Sequence, residues 1–253
     1  MRYNDNMSEF TMKGDDKQIV CILCVRRSGS TLLKALLGVA EDVSHIPEVF
    51  LCELDWSSKE RETTIGYLEN LAPERIVVIK NVIWPEYPLD LKNILCLKPR
   101  VIFLRRDVVR SAMSLVKVGE DNHSTIKFES WDEAKDHWMG GNEIILRFIE
   151  ESGILHFNVK YEDIVMDSIN TTREVFEFIG SRRKDGTSIY CNNYGWKWGT
   201  DDGGELIKTL KVQKNKKPIT IPMEVLEKWE KNRELMELRK KLGYRTSFLQ
   251  LVR

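Results

Sequence analysis

The residues best suited to chemistry in this chain form a short polar loop after an apolar run. Residues 26–32 read Arg-Arg-Ser-Gly-Ser-Thr-Leu and follow directly on the apolar residues 19–25. A strand that feeds such a loop, with a helix beginning at once, turns several backbone N–H groups toward one point, and the helix N-terminus adds partial positive charge. The pattern indicates a phosphate-binding loop, although an ordinary strand, turn and helix would also produce it.

The order of cation and glycine separates this loop from the common ATP-binding loop. In that loop two glycines are followed by a lysine. Here Arg27 precedes the single Gly29. We therefore expect the loop to bind a phosphate group without being a standard ATP site.

A second basic cluster follows another predicted strand. Residues Val101–Leu104 are apolar, Arg105 and Arg106 come directly after them, and a helix is predicted over residues 111–118. Open parallel sheets bind ligands at the carboxyl ends of their strands, so Arg106 and Ser114, eight residues apart, can converge on one anion. A planar guanidinium is suited to bidentate hydrogen bonding with a phosphate group. A solvated charge run is the alternative, but two such sites in one chain favour anion binding.

Together these segments resemble the sulfotransferases that use 3′-phosphoadenosine 5′-phosphosulfate (PAPS). Residues 27–32 resemble the family's 5′-phosphosulfate loop, and Arg106 with Ser114 resembles its 3′-phosphate motif. Residues 159–165 resemble the strand-end Tyr-Glu-Asp-Leu element that follows in the same order. The resemblance extends from residue 19 to about residue 180. It implies PAPS as cofactor, no metal, and a nucleotide site made of Arg27, Ser28, Gly29, Ser30, Thr31, Leu32, Arg106, Ser114 and Tyr161.

Later in the chain, residues 181–220 lack a regular pattern and are rich in glycine, aromatic residues and lysine. A long irregular segment in a compact domain is usually functional or disordered. In the family a late basic loop folds over the nucleotide, so the resemblance implies a mobile lid here. Lys211 and Lys214 are its candidate nucleotide contacts.

The resemblance also implies which residues act in catalysis. Sulfuryl transfer, like phosphoryl transfer, depends mostly on alignment and on stabilising developing charge. Arg27 would serve the leaving 5′-phosphate. Lys80 would serve the sulfuryl group, because related enzymes carry a lysine at the end of the corresponding strand, which we predict over residues 76–80.

The base that accepts the acceptor's proton is predicted to be Glu48. Many cytosolic relatives have a histidine two residues beyond the strand-end lysine, where this chain has Val82. Protein-tyrosine sulfotransferases instead use a glutamate roughly twenty residues after the loop arginine, and Glu48 lies 21 residues after Arg27. Pro47 and Glu48 also suit the first turn of a helix, so a structural role stays open. His45 is the reserve candidate.

Two groups of acidic residues indicate the chemical class of the acceptor. One group follows the phosphate-binding loop, and the other lies in the aromatic-rich irregular segment. A pocket lined by both groups would favour a compact cationic small molecule, such as a guanidinium alkaloid, although solvated loop residues are the alternative. These acids are Glu48, Glu53, Asp55, Asp201, Asp202 and Glu205. The choice between an oxygen and a nitrogen acceptor stays open. So do two other functions, a P-loop small-molecule kinase and a catalytically silent nucleotide-binding module.

Composition bounds the remaining expectations. The 253 residues contain 39 Lys plus Arg and 39 Asp plus Glu, so a general nucleic-acid surface is not expected. Scattered cysteines, with Cys21 and Cys24 inside an apolar run, favour core thiols. No apolar run of membrane-spanning length and no leader is apparent. We therefore expect a cytoplasmic monomer or homodimer without membrane partners.

The alternation of apolar strands with amphipathic segments predicts an α/β fold. We expect a single P-loop-type domain over residues 18–253, after a flexible segment 1–17, with a central, mainly parallel sheet and helices on both faces. Helices are predicted over residues 130–151, 168–179 and 223–242, the last as a charged, solvated outer helix.

Overall fold

A parallel sheet of four strands organises the described part of the chain. The computed structural model describes residues 17–44, 73–85, 91–120, 128–191, 207–214 and 218–251. The strands within them are β1 Gln18–Val25, β2 Ile76–Ile83, β3 Arg100–Arg105 and β4 His156–Lys160. The helices are α1 Ser30–Leu37, α2 Lys92–Leu95, α3 Val108–Glu120, α4 Trp131–Ser152, α5 Tyr161–Met166, α6 Ser168–Ile179, α7 Met223–Glu230, α8 Arg233–Lys241 and α9 Phe248–Leu251.

The strand order, β2-β1-β3-β4, explains where a ligand can bind. All three strand pairs are parallel. The chain passes from β1 to its neighbour on one side, β2, and then crosses to the neighbour on the other side, β3. Such a reversal opens a crevice at the carboxyl ends of the two strands it separates. Both predicted anion-binding segments, which follow β1 and β3, meet at this crevice.

Apolar cores lie on the two faces of the sheet. Successive side chains of a strand point to opposite faces. Cys21, Leu23 and Val25 of β1 join one core with α3, α4, α7, α8 and α9. Ile22 and Cys24 join the other with α1, α5 and α6. The predicted α/β architecture, a parallel sheet covered by helices, is thereby confirmed.

The two thiols of β1 belong to these cores. Cys21 and Cys24 are unoxidised and fully buried. Burial raises the pKa of the Cys21 thiol to about 12 and that of the Cys24 thiol to about 11. A thiol that ionises so reluctantly is a poor nucleophile and a poor redox partner, in agreement with the predicted core role.

One predicted strand boundary is wrong. Lys80 does not end β2, because the strand continues to Ile83 and Lys80 lies opposite Ile22 of β1. The next three residues keep pairing with β1 as far as Val25. Asn81 pairs with Leu23 of β1, and its side chain is buried.

The predicted single helix over residues 223–242 is also wrong. It is two helices, α7 and α8, because the Asn232 side chain accepts a hydrogen bond of 3.0 Å from Leu235 N and starts a new helix. The predicted charged, solvated surface is present, since Lys228, Arg233 and Glu237 are exposed, but another face of the two helices is buried. Leu226, Trp229 and Leu238 are buried in the core beside α4.

Other predicted helices agree with the structure within a few residues. α4 and α6 lie where the pattern placed them, and Gly180 ends α6 in a left-handed conformation. α3 begins at Val108, earlier than predicted, because the Asp107 carboxylate accepts a hydrogen bond of 3.0 Å from Val109 N and caps the helix. In the described parts of the chain, no helix combines the length and apolar character that crossing a membrane would require.

Candidate functional site

The loop after β1 has the backbone geometry of an anion site. Arg27 has φ +63° and Gly29 has φ +88°, so residues at alternate positions are left-handed. Alternation of this kind gathers successive N–H groups into a concave nest. Helix α1 begins at Ser30, directly after the nest. Backbone donors and the positive end of a helix therefore face the crevice at the end of β1.

Tyr161 limits which residue can occupy position 29. A Cβ atom added to Gly29 would lie 2.3 Å from Tyr161 Cδ2 and 2.7 Å from Cε2. Tyr161 is the first residue of α5, directly after β4. Glycine is required at position 29 for two reasons: the backbone is left-handed, and the aromatic ring of Tyr161 approaches closely.

Arg106 joins the loop to β3. Its Nη1 donates to the Arg27 carbonyl oxygen at 2.8 Å, and its Cζ lies 4.2 Å from the centre of the Tyr161 ring. The Arg106 carbonyl accepts from Trp138 Nε1 at 2.8 Å. Arg27 in turn donates from Nε to Ser114 Oγ at 2.9 Å. The structure therefore brings Arg27, Arg106, Ser114 and Tyr161 into one cluster.

The electrostatics of this cluster favour an anionic ligand. Arg106 is only 8% exposed, and burial lowers the pKa of its guanidinium, while Tyr161 and Glu162 act in the opposite direction. Arg106 Nε and Ser28 Oγ are both buried and have no hydrogen-bond partner among the described residues. Buried donors without acceptors cost free energy. A phosphate group would supply acceptor oxygens and a compensating charge, so these residues fit a phosphate-bearing nucleotide.

Lys80 reaches the same loop from β2. Its Nζ donates to Thr31 Oγ1 at 3.3 Å, and the residue is 4% exposed. Its side chain lies on the α1 face of the sheet, so the ammonium group meets the first turn of that helix even though Lys80 is not at the strand end. Ser30 is buried beside Cys24. Burial raises the pKa of the Cys24 thiol, and a hydrogen bond with the Ser30 side chain partly opposes this rise.

The segment that carries Lys211 and Lys214 runs beside Ile189 and Tyr190. Lys211 forms an antiparallel bridge with Ile189, and Tyr190 N donates to the Leu210 carbonyl at 3.0 Å. Burial raises the pKa of the Tyr190 hydroxyl, and the nearby Tyr161 adds to this effect. Both lysines are exposed. The segment therefore lies near the Tyr161 side of the crevice, where its lysines face solvent.

Several predicted residues lie outside the described part of the chain. They include the candidate base, its reserve and the acids expected on the acceptor side: Glu48, His45, Glu53, Asp55, Asp201, Asp202 and Glu205. Most of the predicted flexible segment, residues 1–16, also lies outside. Within the described ranges no three His, Cys, Asp or Glu side chains gather into a metal site.

Sequence reasoning missed a partly buried polar network behind Arg106. Asp107, Glu162, Arg239 and Tyr244 are linked by an ion pair and hydrogen bonds. Burial raises the pKa of Glu162, and burial together with Glu162 raises that of Tyr244. Arg239 lies on the face of α8 that also carries Leu235 and Leu238. The signal in the sequence was a charged residue, Arg239, at a position of α8 whose neighbours on the same face are apolar.

Comparison with solved structures identifies the fold. The chain is similar to the sulfotransferase domain from the curacin biosynthetic pathway, with 19% identity and a TM-score of 0.59 over 90% of this chain and 98% of that one. The sulfotransferase domain of the Synechococcus PCC 7002 olefin synthase gives 20% identity and a TM-score of 0.55, over 92% and 98%. A sulfotransferase from Alicyclobacillus acidocaldarius gives 11% and 0.58, over 94% and 100%.

The likeness is structural and extends over nearly the whole chain. No family model matches the sequence, and no curated protein matches it significantly. The resemblance seen in the loop and in the Arg106 segment is thus accompanied by a common architecture. The chain has the sulfotransferase fold.

Proposed function

We propose that this chain is a sulfotransferase that moves a sulfuryl group from PAPS to a hydroxyl or amine of a small molecule. One observation carries the proposal: two strand-end segments are joined directly, since Arg106 donates to the carbonyl of Arg27 and Arg27 donates to Ser114. A donor with phosphates at both its 5′ and 3′ positions suits a site built from two such segments. The sulfotransferase fold supports this assignment.

Different parts of the cluster would hold the two ends of the donor. The loop Arg27, Ser28, Gly29, Ser30, Thr31 and Leu32 would hold the 5′-phosphosulfate, with its N–H groups turned inward. Arg106 and Ser114 would hold the 3′-phosphate. Tyr161 packs against both halves, and the exposed Lys211 and Lys214 would close from the outside.

The chain's own residues would stabilise the charge that develops during transfer. The bound donor supplies an activated sulfuryl group on its 5′-phosphate. Arg27 and Lys80 place two cations at the loop, where negative charge grows on the bridging oxygen and the sulfuryl oxygens. Preorganised charges in a site shielded from water are worth far more than in bulk solvent.

Replacing Arg106 with alanine should weaken recognition of the 3′-phosphate. A charge-assisted hydrogen bond of this kind contributes about 1.5–3 kcal/mol, so affinity for 3′,5′-diphosphoadenosine should fall about 10- to 150-fold. Affinity for 5′-AMP should change much less. Isothermal titration calorimetry with both nucleotides measures the ratio.

Arg100→Ala is the matched control for Arg106→Ala. Arg100 lies at the opposite end of β3 and donates to the Phe178 carbonyl at 2.6 Å. Its loss should lower the melting temperature and leave the ratio of the two affinities unchanged. If the unmodified protein binds 5′-AMP and 3′,5′-diphosphoadenosine equally well, Arg106 does not read a 3′-phosphate.

Glu48→Gln should separate chemistry from binding. Glutamine keeps the shape of the side chain but cannot accept the acceptor's proton, so turnover should fall about 10²-fold or more. Affinity for 3′,5′-diphosphoadenosine should stay nearly constant. His45→Ala is the comparison. If it alone shows this behaviour, His45 is the base, and if neither variant does, the acceptor reacts without a protein base.

For the acceptor, we propose a compact cationic molecule of natural-product type, such as a guanidinium alkaloid. Support comes from the acidic and aromatic residues near Glu48 and near Asp201, which would hold a cation by ion pairs and cation–π contacts. Two of the similar structures are sulfotransferase domains of a biosynthetic pathway and an olefin synthase.

Incubation with PAPS and a panel of acceptors, analysed by mass spectrometry, tests the proposed function. Sulfated cationic alcohols or amines are the expected products. Turnover confined to neutral phenols and steroids would overturn the acceptor class only. Stabilisation by ATP but not by PAPS would overturn the reaction in favour of a kinase. Tight binding of 3′,5′-diphosphoadenosine without any transfer would indicate a silent nucleotide-binding module.

A further inference from the structure

Arg239 is a buried cation that donates two hydrogen bonds to the turn that carries Arg106. It is 1% exposed, and its Nη2 and Nε donate to Asp107 Oδ2 at 2.7 and 3.2 Å. Its Nη1 donates to the Thr246 carbonyl at 3.0 Å, and its Cζ lies 4.0 Å from the centre of the Phe248 ring. Each part of the guanidinium therefore has a defined neighbour, and its orientation is fixed.

Asp107, the residue after Arg106, is held from several sides. Its Oδ1 caps α3 through Val109 N, while its own N–H donates to Glu162 Oε1 at 3.0 Å. Glu162 Oε2 accepts from Tyr244 Oη at 3.0 Å. The segment Arg239–Tyr244 thus binds the turn after β3 through Asp107 and the first turn of α5 through Glu162.

These two segments carry Arg106 and Tyr161, whose side chains are in contact. Arg106 lies against the ring of Tyr161, and Tyr161 precedes Glu162 just as Arg106 precedes Asp107. Asp107 and Glu162 therefore set the spacing between the Arg106 guanidinium and the Tyr161 ring. Both are held by the segment Arg239–Tyr244.

The ion pair also has an electrostatic effect on the anion site. Asp107 carries a negative charge one residue from the cation that would meet a phosphate. An unpaired carboxylate there would repel an incoming anion and would compete for Arg106. A full positive charge at 2.7 Å offsets it, and the low exposure of both groups makes the effect strong. A buried ion pair seldom contributes much net stability, so stability alone does not account for one at this position.

We propose that Arg239 and Tyr244 are positioning residues for 3′-phosphate recognition. Arg239 neutralises Asp107 and fixes the turn that carries Arg106, and Tyr244 fixes the turn that carries Tyr161 through Glu162. The inference rests on the proposed function, since it assumes that Arg106 reads a 3′-phosphate.

Calorimetry with 3′,5′-diphosphoadenosine and 5′-AMP tests the proposal on the full chain. For Arg239→Met, the preference for the 3′-phosphorylated nucleotide should fall about 10-fold. The double variant Asp107→Asn with Arg239→Met should recover part of that preference, because the uncompensated carboxylate is gone. Tyr244→Phe keeps the ring and loses only the hydroxyl, so a smaller fall of about 3-fold is expected, and this variant serves if Arg239→Met does not fold.

Arg233→Met is the matched control on the same helix. Arg233 forms an exposed ion pair of 2.8 Å with Glu237, and its removal should not change the preference. Equal weakening of both nucleotides, or a lower melting temperature with an unchanged preference in the folded variants, would assign Arg239 and Tyr244 a structural role and overturn the proposal. If the unmodified protein shows no preference, the proposed function itself fails, which is a separate outcome.

Discussion

Gly29→Ala should strongly destabilise the protein and abolish nucleotide binding. Position 29 needs a left-handed backbone, and the added methyl group would meet Tyr161 at 2.3 Å. The strained conformation costs about 1–2 kcal/mol and overpacking about 1–3 kcal/mol, so the free energy of unfolding should fall by about 2–5 kcal/mol. Binding of 3′,5′-diphosphoadenosine should become undetectable, because the N–H groups of the nest lose their arrangement.

Gly153→Ala provides the comparison for this variant. Gly153 also has a left-handed backbone, with φ +60°, but a Cβ there meets nothing within 4 Å. Only the conformational cost of about 1–2 kcal/mol should appear, with nucleotide affinity intact. Thermal unfolding and calorimetry of both variants measure the difference. Equal melting temperatures for the two would show that the Tyr161 contact yields easily and that the site tolerates a side chain at position 29.

Lys80→Met should strongly lower turnover with little effect on binding. Methionine fills a similar buried volume and lacks the charge near Thr31 Oγ1. If Lys80 stabilises the sulfuryl oxygens only as the transition state forms, kcat should fall about 10²- to 10³-fold. Affinity for 3′,5′-diphosphoadenosine, which has no sulfuryl group, should change by less than about 3-fold.

Lys228→Met controls for the general loss of a lysine charge. Lys228 is exposed and pairs with Asp132 at 2.6 Å. Rapid-quench measurements of sulfated product and calorimetry should show wild-type values for it. A parallel fall of kcat and nucleotide affinity in Lys80→Met would instead indicate that the lysine holds the loop in place through Thr31.

Features that depend on neighbouring residues could be predicted from the sequence. The loop between β1 and α1 is marked by an apolar run, a glycine and a leucine-rich helix, and α6 is marked by its apolar period and by Gly180. The carboxyl ends of parallel strands share one edge, which is why Arg27 and Arg106 could be expected in one crevice before their contact was seen.

Features that depend on distant partners could not be predicted. The Asp107–Arg239 pair joins residues 132 positions apart, and nothing in either segment specifies the other. The end of β2 was misplaced because a strand buried on both faces can carry Lys80 and Asn81 inside its ladder when neighbouring elements accommodate them. The break between α7 and α8 depends on one capping asparagine, which a charged and periodic segment conceals.

The order of strands also has a consequence for the kinetics of folding. The central strand β1 comes first in the chain, yet both of its partners come later, and the loop that follows it is held by residues 79 and 87 positions downstream. Contacts of such large sequence separation form slowly, because loop closure must precede them. During synthesis the N-terminal strand emerges long before Arg239, so the crevice is completed only after α8 has left the ribosome. A nucleotide bound as proposed would therefore stabilise the finished protein and would not guide its early folding.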